Sequence, residues 1–220
     1  MERTPPTSPI EARWPVILAI LVVLLLTATL HDRVQVVPNW LRYTLSSLVI
    51  AAIAAVPFMG ARTRWVKLER LLILIFFGIM EIGIMVSLAR LIDGIVNKTQ
   101  EIDGLRLLTS SVVVWMTNVL MFSLLYWQLD RGGPEIRGRS QGSRPDWLFP
   151  QAEVPEDVSP HWQPTYVDYL FLSFTTATAF SPTDALPLTA RAKLLMMLES
   201  LISLTTIVVV ASRAINILSS

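Results

Sequence analysis

The stretch YVDYLFLSFTTATAFSPTD, Tyr166 to Asp184, decides the reading of the whole chain. Its first half is apolar, from Tyr166 to Phe174, and its second half is polar and ends in a proline and an aspartate. Pro164 suits a first helical turn. From Pro164 to Thr176 there is room for a helix of about 13 residues, roughly 20 Å long. A bilayer core about 30 Å thick needs roughly 20 apolar residues in a helix. This helix is therefore expected to enter an apolar layer without crossing it, or else to lie along its surface.

Around this stretch the chain is built from long apolar runs. Five are long enough to be read as spans: about Trp14 to Leu30, Trp40 to Met59, Leu71 to Ile92, Leu107 to Trp127 and Leu194 to Leu218. Backbone amides in lipid must be paired within the segment, so each run is expected to be a helix. Trp14, Trp40, Trp65, Tyr126 and Trp127 fall at the run ends, the usual place for interfacial aromatics. The first run has only Thr27-Ala28-Thr29 as a weak cleavage signal and is read as a retained span. The fold class expected is all-α: a polytopic membrane protein with five transmembrane helices and a re-entrant helix and loop before the last one.

Composition points the same way. Hydrophobic residues make up 53% of the 220 and charged residues 16%, against about 25% charged in an average globular domain. The net charge of +1 gives no global field for nucleic acid. No cysteine is present, which excludes disulfides and thiolate metal sites, and His31 and His161 are the only histidines. No cofactor and no metal are expected. Residues 1–13 read as a polar N-terminal segment, 14–106 as a three-helix membrane region and 107–220 as a separate module. Within that module Arg131 to Pro164 is crowded with glycine and proline, so residues 130–163 read as a polar loop without long helices.

Written out from Thr176, the sequence TATAFSPTDALPLTARAKLLMMLESL resembles the pore-loop module of tetrameric potassium channels. That family has a short pore helix, a filter of the form T-x-T-T-V-G-Y-G-D, a proline–threonine segment and an inner helix. Thr176, Thr178, Asp184, Pro187 and Thr189 fall on matching positions, over about the last 55 residues. The arrangement YLFLSFT-x-x-T-A-F-S-P-T-D is also similar to that of a bacterial membrane-protein family with no assigned activity. The resemblance implies an outer helix in the fourth run, a pore helix and filter-like loop over 164–184, and an inner helix over 191–218. It also implies a homotetramer in the lipid bilayer and a small cation, potassium or sodium, as permeant. The filter-like loop would comprise Thr176, Thr178, Ala179, Phe180, Ser181, Pro182, Thr183 and Asp184, with Ser200, Ser203 and Thr206 as inner-helix pore-lining candidates.

The chain departs from that pattern where it matters chemically. The family's two filter glycines fall on Ser181 and Thr183, and its filter threonine on Ala179. Glycine reaches φ > 0 cheaply and a β-branched residue does not. Pro182 fixes its own φ and restrains Ser181 toward extended geometry. A carbonyl ladder of the family's kind is not expected, so the filter is non-standard. The alternative is a non-conducting membrane module, a sensor or partner subunit, that keeps the pore-loop fold. Nothing in the sequence resembles a histidine cluster, a nucleophile motif or a carboxylate pair in one loop, so no enzyme is expected.

Two intramembrane acids stand out. Glu81 lies mid-run in the third apolar segment, as a relay or as a protonated structural residue. Glu199, read as about one turn inside the last run, is expected to meet solvent or Lys193. Asn118 is a third polar residue at depth. With five spans the termini lie on opposite sides. Arg3, Arg13, Arg62, Arg64, Lys67, Arg70, Arg131, Arg137, Arg139, Arg144, Arg191 and Lys193 share one side, twelve of 18 basic residues. Positive charge marks the cytoplasmic side. The expected location is therefore a bacterial inner membrane, with the N-terminus in and the C-terminus out. That orientation brings the short helix in from the cytoplasm, opposite to the potassium channels.

Overall fold

A computed structural model describes residues 13–30, 36–58, 63–96, 104–137, 144–152, 162–178 and 185–218. Among the described residues the chain is helical apart from one small strand pair. Its helices are α1 (Trp14–Ala28), α2 (Asn39–Phe58), α3 (Thr63–Val96), α4 (Gly104–Leu129), α5 (Pro134–Arg137), α6 (Tyr166–Thr178) and α7 (Ala190–Leu218). Strands β1 (Trp147–Leu148) and β2 (Leu186–Pro187) pair antiparallel.

Among the described residues three helices are long and apolar enough to cross a membrane: Arg64–Asp93, Leu108–Gly132 and Ala190–Ala211. The chain is a membrane protein on that ground. Helix α1 is apolar but has 15 residues, about 22 Å, and α2 has 20. Helices α3, α4 and α7 run further than the apolar runs suggested because polar ends extend them: α3 takes in Thr63 to Arg70, and α7 starts four residues before Leu194.

Contacts at the helix ends fix the order of the bundle. Arg13, just before α1, donates to Glu69 near the start of α3 at 2.6 Å, and Arg70 donates to the Gly132 carbonyl beyond α4 at 3.2 Å. At the other end Arg42, near the start of α2, donates to the Thr27 carbonyl of α1 at 2.7 Å. The starts of α1 and α3 and the end of α4 thus share one end, and α1 to α4 run alternately up and down. Helix α4 packs against α1, α3, α6 and α7. It is the most enclosed of the three long helices: 61% of its most apolar 18-residue stretch is buried, against 28% of that of α7.

Local chemistry sets the boundaries near α6. Helix α4 stops in a 3-10 turn, Asp130–Gly132, where Arg131, Gly132 and Gly133 all take positive φ. A glycine pair accepts that geometry without the Cβ penalty. Helix α6 has 13 residues, the expected length, but lies two residues later than expected. Asp168 explains the shift, because it accepts from both the Thr165 amide (2.7 Å) and the Thr165 hydroxyl (2.9 Å). Both bonds run from Thr165 to Asp168, and they make Thr165 the last residue outside the helix. At α7 the hydroxyl oxygen of Thr189 caps the helix in the opposite sense, accepting from the Ala192 amide at 3.2 Å.

The segment read as a polar breaker-rich loop contains packed structure. Trp147 is 1% exposed and its ring lies 4.7 Å from that of Tyr126. Phe149 packs edge-on against Tyr169 at 5.3 Å. Prolines and glycines forbid long helices there, as expected, but they do not forbid buried aromatics.

Candidate functional site

The short helix α6 sits in a seat formed by α4 and α7, with one polar cluster at its outer end and another at its inner end. At the outer end Asp130 is fully buried. It accepts from the Asp146 amide at 2.7 Å and from the Tyr169 hydroxyl at 2.6 Å. Arg137 donates to the Tyr169 hydroxyl at 2.7 Å and to the Trp127 carbonyl at 3.3 Å, and its guanidinium lies 4.0 Å from Asp130. Asp146 in turn accepts from Thr189 at 2.6 Å and forms an ion pair with Arg191. Leu188 donates to the Asp146 carbonyl at 2.8 Å. The end of α4, the segment around β1, the first turn of α6 and the start of α7 are joined through these groups. Buried charges persist only when paired and hydrogen-bonded, and each acid here has both kinds of partner.

At the inner end Glu199 of α7 is fully buried. It accepts from the Tyr126 hydroxyl of α4 at 2.5 Å and is bonded to the Ser173 hydroxyl of α6. Ser173 is also 2.7 Å from the Val119 carbonyl of α4. Asn118 donates to Ser203 at 2.9 Å, tying α4 to α7 one turn further on. Expectation and structure differ over Glu199. The helix begins at Ala190, so Glu199 lies about 14 Å along it, facing α4 and α6, and neither Lys193 nor solvent satisfies it. Glu81 is buried on α3 and neither of its oxygens has a partner among the described residues. It lies within electrostatic reach of both Tyr126 and Glu199. Two acids read separately from the sequence thus share one interior.

The other sequence candidates are distributed as follows. Thr176 and Thr178 are in the last turn of α6, not in a loop. Their hydroxyls bond back to the carbonyls of Leu172 (2.8 Å) and Thr175 (3.1 Å), which lets a helix accommodate them. Ser203 and Thr206 are fully buried on the face of α7 inside the chain. Ser200 differs: it donates to the Thr176 carbonyl at 3.3 Å and lines an open groove with Thr175, Thr176, Met196, Met197 and Leu204. Ala179, Phe180, Ser181, Pro182, Thr183 and Asp184 lie outside the described residues, as do His31 and His161. Among the described residues no group of three or more His, Cys, Asp or Glu could hold a metal ion.

Sequence reasoning missed Asp130, Arg137, Asp146 and Ser173. Asp130 and Asp146 lie beside breakers, where charge reads as solvated. The signal was Trp147 and Phe149 in an otherwise polar loop, since aromatics there need a surface to cover them. In comparisons with family models, curated proteins and solved structures, nothing matches the chain.

Proposed function

We propose that the chain is a subunit of a homotetrameric pore-loop cation channel with a non-standard filter, embedded through five spans that include α1 and α2. The observation that carries this reading is the course of the chain through α6. Helix α6 starts beside Ser123 and Trp127, with Tyr166 bonded to Ser123 at 2.7 Å. It runs inward to Ser173, which meets Val119, and Phe174, which packs on Trp115 at 5.9 Å. Val119 is ten residues before Leu129, about 15 Å of helix, half of a bilayer core. By Leu186 the chain is back at the starting end, paired with Leu148. An excursion that enters and leaves on one side, with a helix on the way in, supports the reading of a re-entrant loop.

Such a helix directs the partial negative charge of its C-terminus at mid-depth, where it favours a cation. Irregular backbone at that depth is tolerated only where protein or water surrounds it. A single chain leaves one side of α7 uncovered. The most exposed large apolar residues of α7, with Leu198 less exposed beside them, are Leu194, Met197, Leu201, Leu204 and Val208. Their alternating spacing of three and four residues is that of a helix–helix seam. Four copies around an axis would cover this stripe and surround the loop 179–184 with oxygens. The basic residues near Arg13, Arg70, Arg137 and Arg191 support placing that end in the cytoplasm, with the C-terminus outside.

Cryo-EM in detergent tests the assembly: a fourfold particle with residues 179–184 at its axis is expected, and a monomer or dimer with that segment facing lipid refutes it. Liposome flux tests conduction. Potassium or sodium flux that changes on Ser181→Gly or Thr183→Gly supports a channel, and a fourfold particle with no flux under any gradient assigns the chain to a non-conducting module.

A further inference from the structure

The hydrogens available at the inner end of α6 are too few for its contacts unless Glu199 supplies one. Three oxygen–oxygen contacts meet there: Tyr126 with Glu199 Oε2, Ser173 with Glu199 Oε1, and Ser173 with the Val119 carbonyl. Each needs one hydrogen between its oxygens. The Tyr126 hydroxyl carries one and the Ser173 hydroxyl carries one, and a carbonyl carries none. Tyr126 uses its hydrogen on Oε2. Ser173 can give its own to Val119 or to Glu199, never to both. The third hydrogen belongs to Glu199.

We propose that Glu199 is a buried proton-binding site whose bound proton latches α6 to α4 and α7. With the proton in place, Glu199 Oε1–H donates to Ser173, Ser173 donates to the Val119 carbonyl, and Tyr126 donates to Oε2. All three helices are joined through one carboxylic acid. Loss of that proton to water leaves one of the Ser173 contacts as two oxygens facing each other with nothing between them. It also places a full charge on a side chain that is fully buried. None of the described ion pairs includes Glu199, so no cation is at hand to compensate that charge. The titratable groups facing it are Tyr126 on α4 and Glu81 on α3, while α6 contributes Ser173. Glu81 is a second acid, its oxygens unpartnered, and adds no counter-charge. Deprotonation therefore opens the latch and frees the inner end of α6. The latch lies within the packing of α3, α4, α6 and α7 of one chain and operates whether or not the chain conducts.

The test is infrared spectroscopy on the full chain, made with 13C-labelled glutamate and measured in detergent at neutral pH. A carboxylic C=O band that shifts with the label, persists in Glu81→Gln and disappears in Glu199→Gln is expected. Its absence from labelled Glu81→Gln protein, with carboxylate bands alone lost in Glu199→Gln, overturns the proposal. Hydrogen exchange of the α6 amides gives a second readout. Glutamine reproduces the neutral acid, with an N–H for Ser173 and an oxygen for Tyr126. Glu199→Gln should keep α6 protected at alkaline pH, where the wild type loses protection and Glu199→Ala is unprotected throughout. A Glu199→Gln protein that fails to fold, or exchanges as fast as Glu199→Ala, refutes the latch, and labelled Glu81→Gln still decides the protonation state.

Discussion

Replacing Asp130 by alanine removes the acceptor on which the outer end of the α6 seat converges. The side chain is fully buried, and it accepts from the Asp146 amide at 2.7 Å and the Tyr169 hydroxyl at 2.6 Å, with Arg137 4.0 Å away. A hydrogen bond to a charged group contributes about 1.5–3 kcal/mol. Truncating one side of a buried charge pair costs roughly 3–5 kcal/mol, since the partner charge stays behind. The two estimates describe overlapping losses, so Asp130→Ala should destabilise by about 3–5 kcal/mol. Tyr169→Phe removes only the hydroxyl that bridges Arg137 and Asp130, and should cost about 1.5–3 kcal/mol. Both variants delete the same bond, so the double variant should fall short of the sum by about 1–3 kcal/mol. Equilibrium unfolding by denaturing detergent, followed through the tryptophan signal, measures all three. An Asp130→Ala effect below about 1 kcal/mol, or full additivity, would refute the claim that Asp130 organises this end of the seat.

Other substitutions test the helix boundary and the interhelical bonds. Gly133 has φ +104°, and a Cβ there would lie 3.2 Å from the Gln128 carbonyl. Gly133→Ala should therefore destabilise by about 1–3 kcal/mol; Gly78, with open space around it, should tolerate alanine or gain up to about 1 kcal/mol. Thermal unfolding of the two variants side by side checks the contrast. Asn118→Ala and Ser203→Ala break the same α4–α7 bond. Each should cost about 0.5–1.5 kcal/mol, near the range for interhelical bonds in membranes, and their double variant should be less than additive in the same unfolding assay.

The sequence by itself determined the helical class and the length of α6. Backbone amides in an apolar layer have no partner but their own helix, so the long runs near Leu71–Ile92, Leu107–Trp127 and Leu194–Leu218 could form little else. The breakers on either side of Tyr166–Phe174 left room for only a short helix. Its register was less legible, because Pro164 alone suggested a start at that residue, whereas the bonds from Thr165 to Asp168 set it two residues later. Which faces of the helices meet was not in the pattern. Helices that are apolar all round carry no stripe to orient them, so Ser200, Ser203 and Thr206 looked equivalent in the sequence. Packing separates them, putting Ser203 and Thr206 inside and Ser200 at the groove. Only the tertiary structure brought Glu199 to Tyr126 and Ser173, residues 73 and 26 positions away, and Asp130 to Tyr169, 39 positions away. A polar group in an apolar layer must find a partner, and that requirement is visible in one dimension; the identity of the partner is set by how the helices rotate against one another, which is not.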